Sequence, residues 1–152
     1  MTDTVVIGIG NSYRGDDGVG HAAAEMLRSI LTDADVLLQD GEPTRLVDAW
    51  EGRRLAIVVD AIRRGDPPGT VHRVQVGTDP LPAAFVHPST HGAGLESAVA
   101  LGQALDRNPE KLVIFGIEPA DLTEGHGLSA AVQTALPGFV RRVTEEVRTT
   151  CA

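Results

Sequence analysis

The sequence predicts an α/β fold, a three-layer αβα sandwich around a mostly parallel, twisted sheet of about five strands with one antiparallel edge strand. Continuous apolar runs recur along the chain, and such runs are typical of strands buried on both faces of a parallel sheet. They alternate with segments whose apolar residues have helical spacing. One further segment alternates apolar and polar residues, which predicts an edge strand with a solvated face. The 152 residues show no linker or repeat, so residues 1–152 are expected to form a single domain.

The amino-terminal half contains three apolar runs and two helical segments. In order, the predicted elements are a strand over 5–10, a glycine-rich loop over 10–18, a helix over 19–31, a short strand over 36–38, a helix from a Thr44 cap to about Trp50, and a strand over 55–60. The first of these strands ends in Gly10 and the third in Asp60.

The carboxyl-terminal half begins with dense turn residues at 63–69. The predicted elements that follow are an edge strand over 70–76, antiparallel to the third strand, a proline-rich loop over 79–88, a helix over 94–105, a strand over 111–117, and a last helix capped by Ser129 and extending to about Arg148. Pro137 lies inside this helix and predicts a break or kink.

The composition excludes several classes of protein. The chain has 13 Lys and Arg against 21 Asp and Glu, a net charge of −8, and aromatic residues make up only 3%. It therefore lacks both the positive charge that neutralises phosphates and the rings that stack on bases, which argues against a nucleic-acid-binding protein. No apolar run approaches the ~20 residues of a membrane span, and no signal peptide is visible, so we expect a cytoplasmic protein. The single cysteine, Cys151, excludes an internal disulfide, and its position near the terminus, where chains usually fray, argues against a nucleophile.

Polar residues follow several of the predicted strands. Ligands of α/β sheets bind outside the carboxyl ends of the strands, so these residues are candidates for a common site. They are Asp16, Asp17, Asp40, Asp60 and Glu118, together with His87 and His91 in the loop before a helix. Carboxylate and imidazole ligands suit a borderline divalent metal such as nickel or zinc.

Each candidate also has a structural interpretation. Asp17 can favour a helix amino terminus through the helix dipole, Asp60 can cap the turn after its strand, and His91 can contact the start of the next helix. Residue type and spacing alone leave these alternatives open.

Four familiar sites do not match the sequence. Tyr13 stands where a dinucleotide-binding fingerprint needs glycine, and the only lysine, Lys111, is far from the glycine-rich loop of any P-loop. No serine lies in a Gly-x-Ser-x-Gly motif, and no His-Glu-x-x-His helix is present.

An ordered set of motifs resembles the hydrogenase maturation proteases, endopeptidases of nickel–iron hydrogenase assembly. The motifs are Gly8-x-Gly10-Asn11-x(4)-Asp16-Asp17-Gly18-x-Gly20, Asp40-Gly41, Val58-Val59-Asp60-Ala61, Ser89-x-His91 with Gly94-Leu95, Phe115-Gly116-Ile117-Glu118-Pro119 and Gly127-Leu128-Ser129. They span nearly the whole chain. The chain departs from the family at Gly41-Glu42-Pro43-Thr44, where other members carry Gly-Gly-Thr after the aspartate, near a region implicated in substrate choice.

The resemblance implies a nickel-dependent endopeptidase of the aspartic or metal-recognising type. It places a nickel-binding trio at Asp17, Asp60 and His91, the first of which is Glu in some members, and leaves Asp16 or Asp40 to position a water or the peptide. The implied substrate is the precursor of a hydrogenase large subunit, which carries the nickel and loses a C-terminal extension, and the enzyme is expected to be a monomer. Two alternatives are a non-catalytic nickel- or nucleotide-binding chaperone on the same fold and a hydrolase of aminoacyl esters or amides.

Overall fold

The computed structural model describes residues 2–11, 13–80 and 92–151. Its strands are β1 (Thr4–Ile9), β2 (Asp35–Gln39), β3 (Leu55–Ala61), β4 (Val71–Gln75) and β5 (Lys111–Ile117). Its helices are α1 (Val19–Ile30), α2 (Pro43–Trp50), α3 (Gly92–Leu105) and α4 (Ala130–Cys151), and a 3₁₀ turn at Gly15–Gly18 precedes α1. Most boundaries lie within two residues of those predicted from the apolar pattern.

The sheet has the strand order β2-β1-β3-β5-β4. β1 is parallel to β2 and β3, and β3 is parallel to β5, whereas β4 is antiparallel to β5. The prediction that the alternating segment pairs with the third strand is therefore wrong, although its place at the edge is confirmed. β5 is almost entirely buried and takes the position between β3 and β4, where both of its faces are covered.

Two hydrophobic cores lie on opposite faces of the sheet. Alternate residues of β3 separate them: Ile57 and Val59 pack in the core shared with α1 and α4, and Ala56 and Val58 pack in the core shared with α2 and α3. The period of two along a strand explains this division. The three-layer αβα sandwich is confirmed.

The α2 helix begins two residues earlier than predicted. Its N-cap is Glu42, whose carboxylate accepts hydrogen bonds from the N–H of Thr44 at 3.1 Å and of Arg45 at 3.0 Å, and Pro43 occupies the first turn. Thr44 is therefore inside the helix and does not cap it. The Glu-Pro pair that departs from the family motif is thus a helix start, with proline where its missing N–H costs least.

The α4 helix continues across Pro137 without interruption. Pro137 and Gln133 are both exposed, so water can reach the Gln133 carbonyl that loses its helical partner.

The predicted Ser129 cap of α4 is confirmed, since its hydroxyl accepts from the N–H of Val132 at 3.4 Å. At the other end Cys151 is still helical, and its Sγ lies 3.4 Å from Thr4 Oγ1. Across the described ranges, no helix combines the length and hydropathy that a membrane crossing requires.

An ion-pair cluster joins α4 to the β4–β5 edge of the sheet. The Glu146 carboxylate accepts from Arg73 Nε at 2.7 Å and from Lys111 Nζ at 2.9 Å. The hydrogen bond from Arg73, together with Lys111, lowers the pKa of Glu146 from 4.5 to about 2.

The stability that Glu146 contributes is expected to depend on pH. A folded-state pKa below the unfolded one stabilises the protein above pH 4.5, and this stabilisation is lost as the pH falls towards about 2. Glu146→Gln should lower the free energy of unfolding by about 2 kcal/mol at neutral pH, with a difference that shrinks at acidic pH. Urea unfolding over a pH series measures this, with the exposed Glu145→Gln as the matched control. A pH-independent difference would contradict the assignment.

Candidate functional site

The start of α1 packs directly on the carboxyl ends of two central strands. A Cβ at Gly20 would overlap the carbonyl oxygen of Ile9 and lie 2.6 Å from that of Val59. Only glycine permits this approach of helix to sheet. Because Asp17 lies one turn before Gly20, the contact brings it to the edge where β1 and β3 end.

This close approach gives a steric prediction. Gly20→Ala is expected to lower the free energy of unfolding by about 3 kcal/mol, because two backbone oxygens must move to admit the methyl group. Gly127→Ala, at a site where a Cβ meets nothing within 4 Å, should change stability by less than about 0.5 kcal/mol. Denaturant midpoints compare the two, and equal midpoints would show that α1 can shift freely on the sheet.

Asp17 and Asp60 are both fully buried at this edge. Asp17 lies in the 3₁₀ turn and is not the N-cap of α1, which is Gly18. Asp60 lies near the end of β3, and its Oδ1 accepts from the N–H of Ala61 at 2.8 Å. Burying carboxylates is costly unless a cation or hydrogen bonds stabilise them. The structure thus places two acids of the trio at the same edge of the sheet, and carboxylate oxygens are donors of the kind that divalent metals bind.

Asp16 is also buried, but its carboxylate has a structural role. It accepts four hydrogen bonds: from the N–H of Ala120 at 2.7 Å, of Asp121 at 3.0 Å and of Ser129 at 2.7 Å, and from the Ser129 hydroxyl at 2.8 Å. Asp16 therefore ties the glycine-rich loop to the segment between β5 and α4. These contacts hold the 3₁₀ turn, and with it the neighbouring Asp17, in place.

Asp40 lies at the carboxyl end of β2 and is exposed. Its Oδ1 accepts from Arg45 Nη2 at 2.6 Å and from the N–H of Glu42 at 3.2 Å, and the Arg45 guanidinium lowers the pKa of Asp40. Beside it, a cleft of about 700 Å³ runs along the outer edge of β2 and is lined in part by His21 and Arg45. Asp40 is thus an ionised group at the end of an open groove.

The carboxylate of Glu118 is held by the turn after β3 and by β4. Its Oε1 accepts from the N–H of Arg64 at 2.6 Å and lies 3.0 Å from Nε2 of His72. Alternation along β4 left the orientation of His72 open. His72 and Asp60 both pair with Gly116, so their side chains lie on the same face of the sheet. No local signal in the sequence could have supplied this non-local pairing.

The histidine of the trio, His91, and the nearby His87 lie outside the described residues. The start of α3, which follows His91 directly, is described. A Cβ at Gly94 would overlap the carbonyl oxygen of Gly41, so the first turns of α3 pack against the carboxyl end of β2. The chain therefore resumes after residue 91 at the same edge of the sheet as Asp40.

Comparison with known sequences identifies a family. A family model described as hydrogenase maturation protease matches residues 22–146. The hydrogenase expression/formation protein HupD of Thiocapsa roseopersicina is 33% identical over 128 residues, which cover 82% of this chain and 58% of that protein. HupD of Rhizobium leguminosarum bv. viciae is 29% identical over 148 residues, covering 95% of this chain and 73% of the relative. The chain thus spans somewhat more than half to about three quarters of these relatives.

Solved structures share the fold. The hydrogenase maturating endopeptidase HybD from E. coli superposes with a TM-score of 0.82 at 22% identity, covering 99% of this chain and 94% of that one. The [NiFe] hydrogenase maturation protease HycI from Thermococcus kodakarensis KOD1 superposes with a TM-score of 0.69 at 25% identity, covering 93% and 90%. With the family match extending over most of its length, the chain belongs to the hydrogenase maturation protease family.

Proposed function

We propose that the protein is an endopeptidase that removes the C-terminal extension of the nickel-loaded precursor of a [NiFe]-hydrogenase large subunit. The observation that carries the proposal is the pair of fully buried carboxylates, Asp17 and Asp60, at the carboxyl edge of a sheet with this family's fold. The proposed enzyme acts as a cytoplasmic monomer.

In the proposed reaction the nickel belongs to the substrate. Asp17, Asp60 and His91 offer two carboxylates and one imidazole, a donor set that suits nickel. A metal with vacant positions polarises a carbonyl or lowers the pKa of a bound water. Asp17 is held by the 3₁₀ turn and Asp60 by β3, so the two carboxylates have fixed positions in which they orient the incoming precursor. In this reaction, cleavage requires the nickel that the precursor carries.

The surroundings of this pair support a peptide substrate. The cleft beside Asp40 follows the outer edge of β2, and extended peptides commonly bind along such an edge. Asp40, held ionised by Arg45, is the exposed acid available to position a water or the peptide near the scissile bond. Asp16 is committed to four protein donors and serves as a positioning residue for Asp17.

The proposal is tested with purified protein and purified precursor, with and without nickel. A smaller product on a denaturing gel, formed only from the nickel-loaded precursor and with its new C-terminus identified by mass spectrometry, is the expected result. A stable complex without cleavage would instead support the non-catalytic chaperone. Hydrolysis of small esters without nickel would support the aminoacyl-ester or amide hydrolase.

A further inference from the structure

We propose that Asp66, His72 and Glu118 form a second divalent-cation site, of the zinc class, separate from the proposed nickel trio. The three residues come from the turn after β3, from β4 and from the end of β5, and each offers a ligand atom within 4.8 Å of the others. The inference rests on this geometry and is independent of the proposed function.

The distances fit coordination of one small ion. Nε2 of His72 lies 3.0 Å from Oε1 of Glu118 and 3.4 Å from Oδ2 of Asp66. Ligand atoms bound about 2.0–2.2 Å from a tetrahedral zinc ion are about 3.3–3.6 Å from one another. The separation from Asp66 falls in this range and that from Glu118 is about 0.3 Å shorter, while all three ligand atoms lie within 4.8 Å of one another, so movements of the side chains alone can admit the ion. Three protein ligands also leave a coordination position for water.

The charges of the trio favour a cation. Nε2 of His72 faces two carboxylates and carries at most one proton, which cannot point at both of them. The side chain of Glu118 is 2% exposed and that of His72 is 10% exposed, so water screens this pair poorly. A divalent ion would satisfy both carboxylates at once, with imidazole and carboxylate being ligands that zinc accepts.

The surroundings meet two further requirements of a metal site. The N–H groups of Arg64 and Asp66 donate to Oε1 of Glu118 at 2.6 and 3.3 Å, which orients this carboxylate. The side chain of Asp66 is 49% exposed, so an ion can enter from solvent on that side.

The position of the site suggests what the ion would do. His72 and Asp60 both pair with Gly116, so they share one row across β3, β5 and β4 and are about 10 Å apart, two strand spacings. The segment 62–70 begins directly after β3, which carries Asp60. A bound ion would fasten this segment to β4 and β5 and so hold the end of β3 in place.

Zinc binding to the metal-stripped full chain tests the proposal. In the Asp17→Asn/Asp60→Asn background, which disables the proposed nickel trio, isothermal titration with ZnCl₂ is expected to show one bound equivalent. Adding His72→Gln should weaken this binding at least about tenfold. Co²⁺ in place of zinc should give visible d–d absorption that is lost in the same variant.

Two further variants keep the test decisive. His126→Gln removes an exposed histidine paired with Asp121 at 2.8 Å and should leave zinc binding unchanged. Asp66→Asn removes a half-exposed ligand with little risk to folding and should also weaken binding at least about tenfold. No stoichiometric zinc in the Asp17→Asn/Asp60→Asn protein, or equal affinity after His72→Gln, Asp66→Asn and His126→Gln, would show that the trio is a hydrogen-bonded clasp only.

Discussion

Replacing Asp60 by Asn is expected to reduce processing of a nickel-loaded precursor at least about 100-fold, and Asp17→Asn to do the same. Asparagine keeps the size of the side chain, so packing at these fully buried positions changes little. It removes the negative charge and one oxygen, and with them the attraction for the metal that the precursor carries. The loss should appear at saturating precursor as well as at low concentration, because these residues act on the reacting centre.

The matched control is Asp33→Asn, the same change at an exposed acid just before β2. Cleavage is followed by the shift of the precursor band with time, and far-UV circular dichroism verifies that each variant is folded. Normal cleavage by both Asp17→Asn and Asp60→Asn would refute the metal-binding role of the buried pair. Loss of cleavage in Asp33→Asn as well would point to a general effect of charge.

Asp16→Ala is expected to lower the free energy of unfolding by about 3 kcal/mol. The substitution removes the acceptor of four hydrogen bonds, three of them from the backbone of the segment between β5 and α4. Hydrogen bonds to a charged group contribute about 1.5–3 kcal/mol each, but the donor residues Ala120, Asp121 and Ser129 are exposed or half-buried, so water can replace much of what they lose. Processing should fall too, because the 3₁₀ turn that holds Asp17 loses its anchor.

Ser129→Ala provides a graded comparison. It removes the hydroxyl that donates to Asp16 and accepts from Val132, while the Ser129 N–H still binds Asp16. A loss of about 1 kcal/mol is expected. Urea unfolding measures both variants. If the free energy of unfolding of Asp16→Ala lies within about 0.5 kcal/mol of the parent protein, or if Ser129→Ala is the more destabilising of the two, the hydrogen bonds to Asp16 contribute little to stability.

Local patterns predicted the layers of the fold well. The apolar run at 111–117 is β5 with the same bounds, and the helical stripe from Val19 is α1. The pairing of β4 was predicted wrongly, because alternation shows that a strand has a solvated face but carries no information about its neighbour. The N-cap of α2 was misplaced for a different reason: Glu42 caps it with a carboxylate, where the preference for threonine pointed to Thr44.

The candidate site, like the fold, was predicted only in part. The placement of Asp17 and Asp60 together at one edge follows from strand order along the chain and from the rule for carboxyl ends, and residue patterns were sufficient for it. The different roles of the other acids could not be predicted from residue patterns. Asp16 binds the segment between β5 and α4, Asp40 forms an exposed ion pair with Arg45, and Glu118 contacts His72, although each of these acids lies beyond the carboxyl end of a strand.

The physical reason is the range of the interactions concerned. Burial of an apolar run and the period of a strand or helix depend on neighbours along the chain, so the αβα architecture and its polar edge can be read from residue order alone. The partner of a carboxylate depends on segments up to 113 residues away, as for Asp16 and Ser129, or 46 residues away, as for His72 and Glu118. Only the packed sheet brings those groups together, and it decides which acids are available for chemistry and which hold the fold.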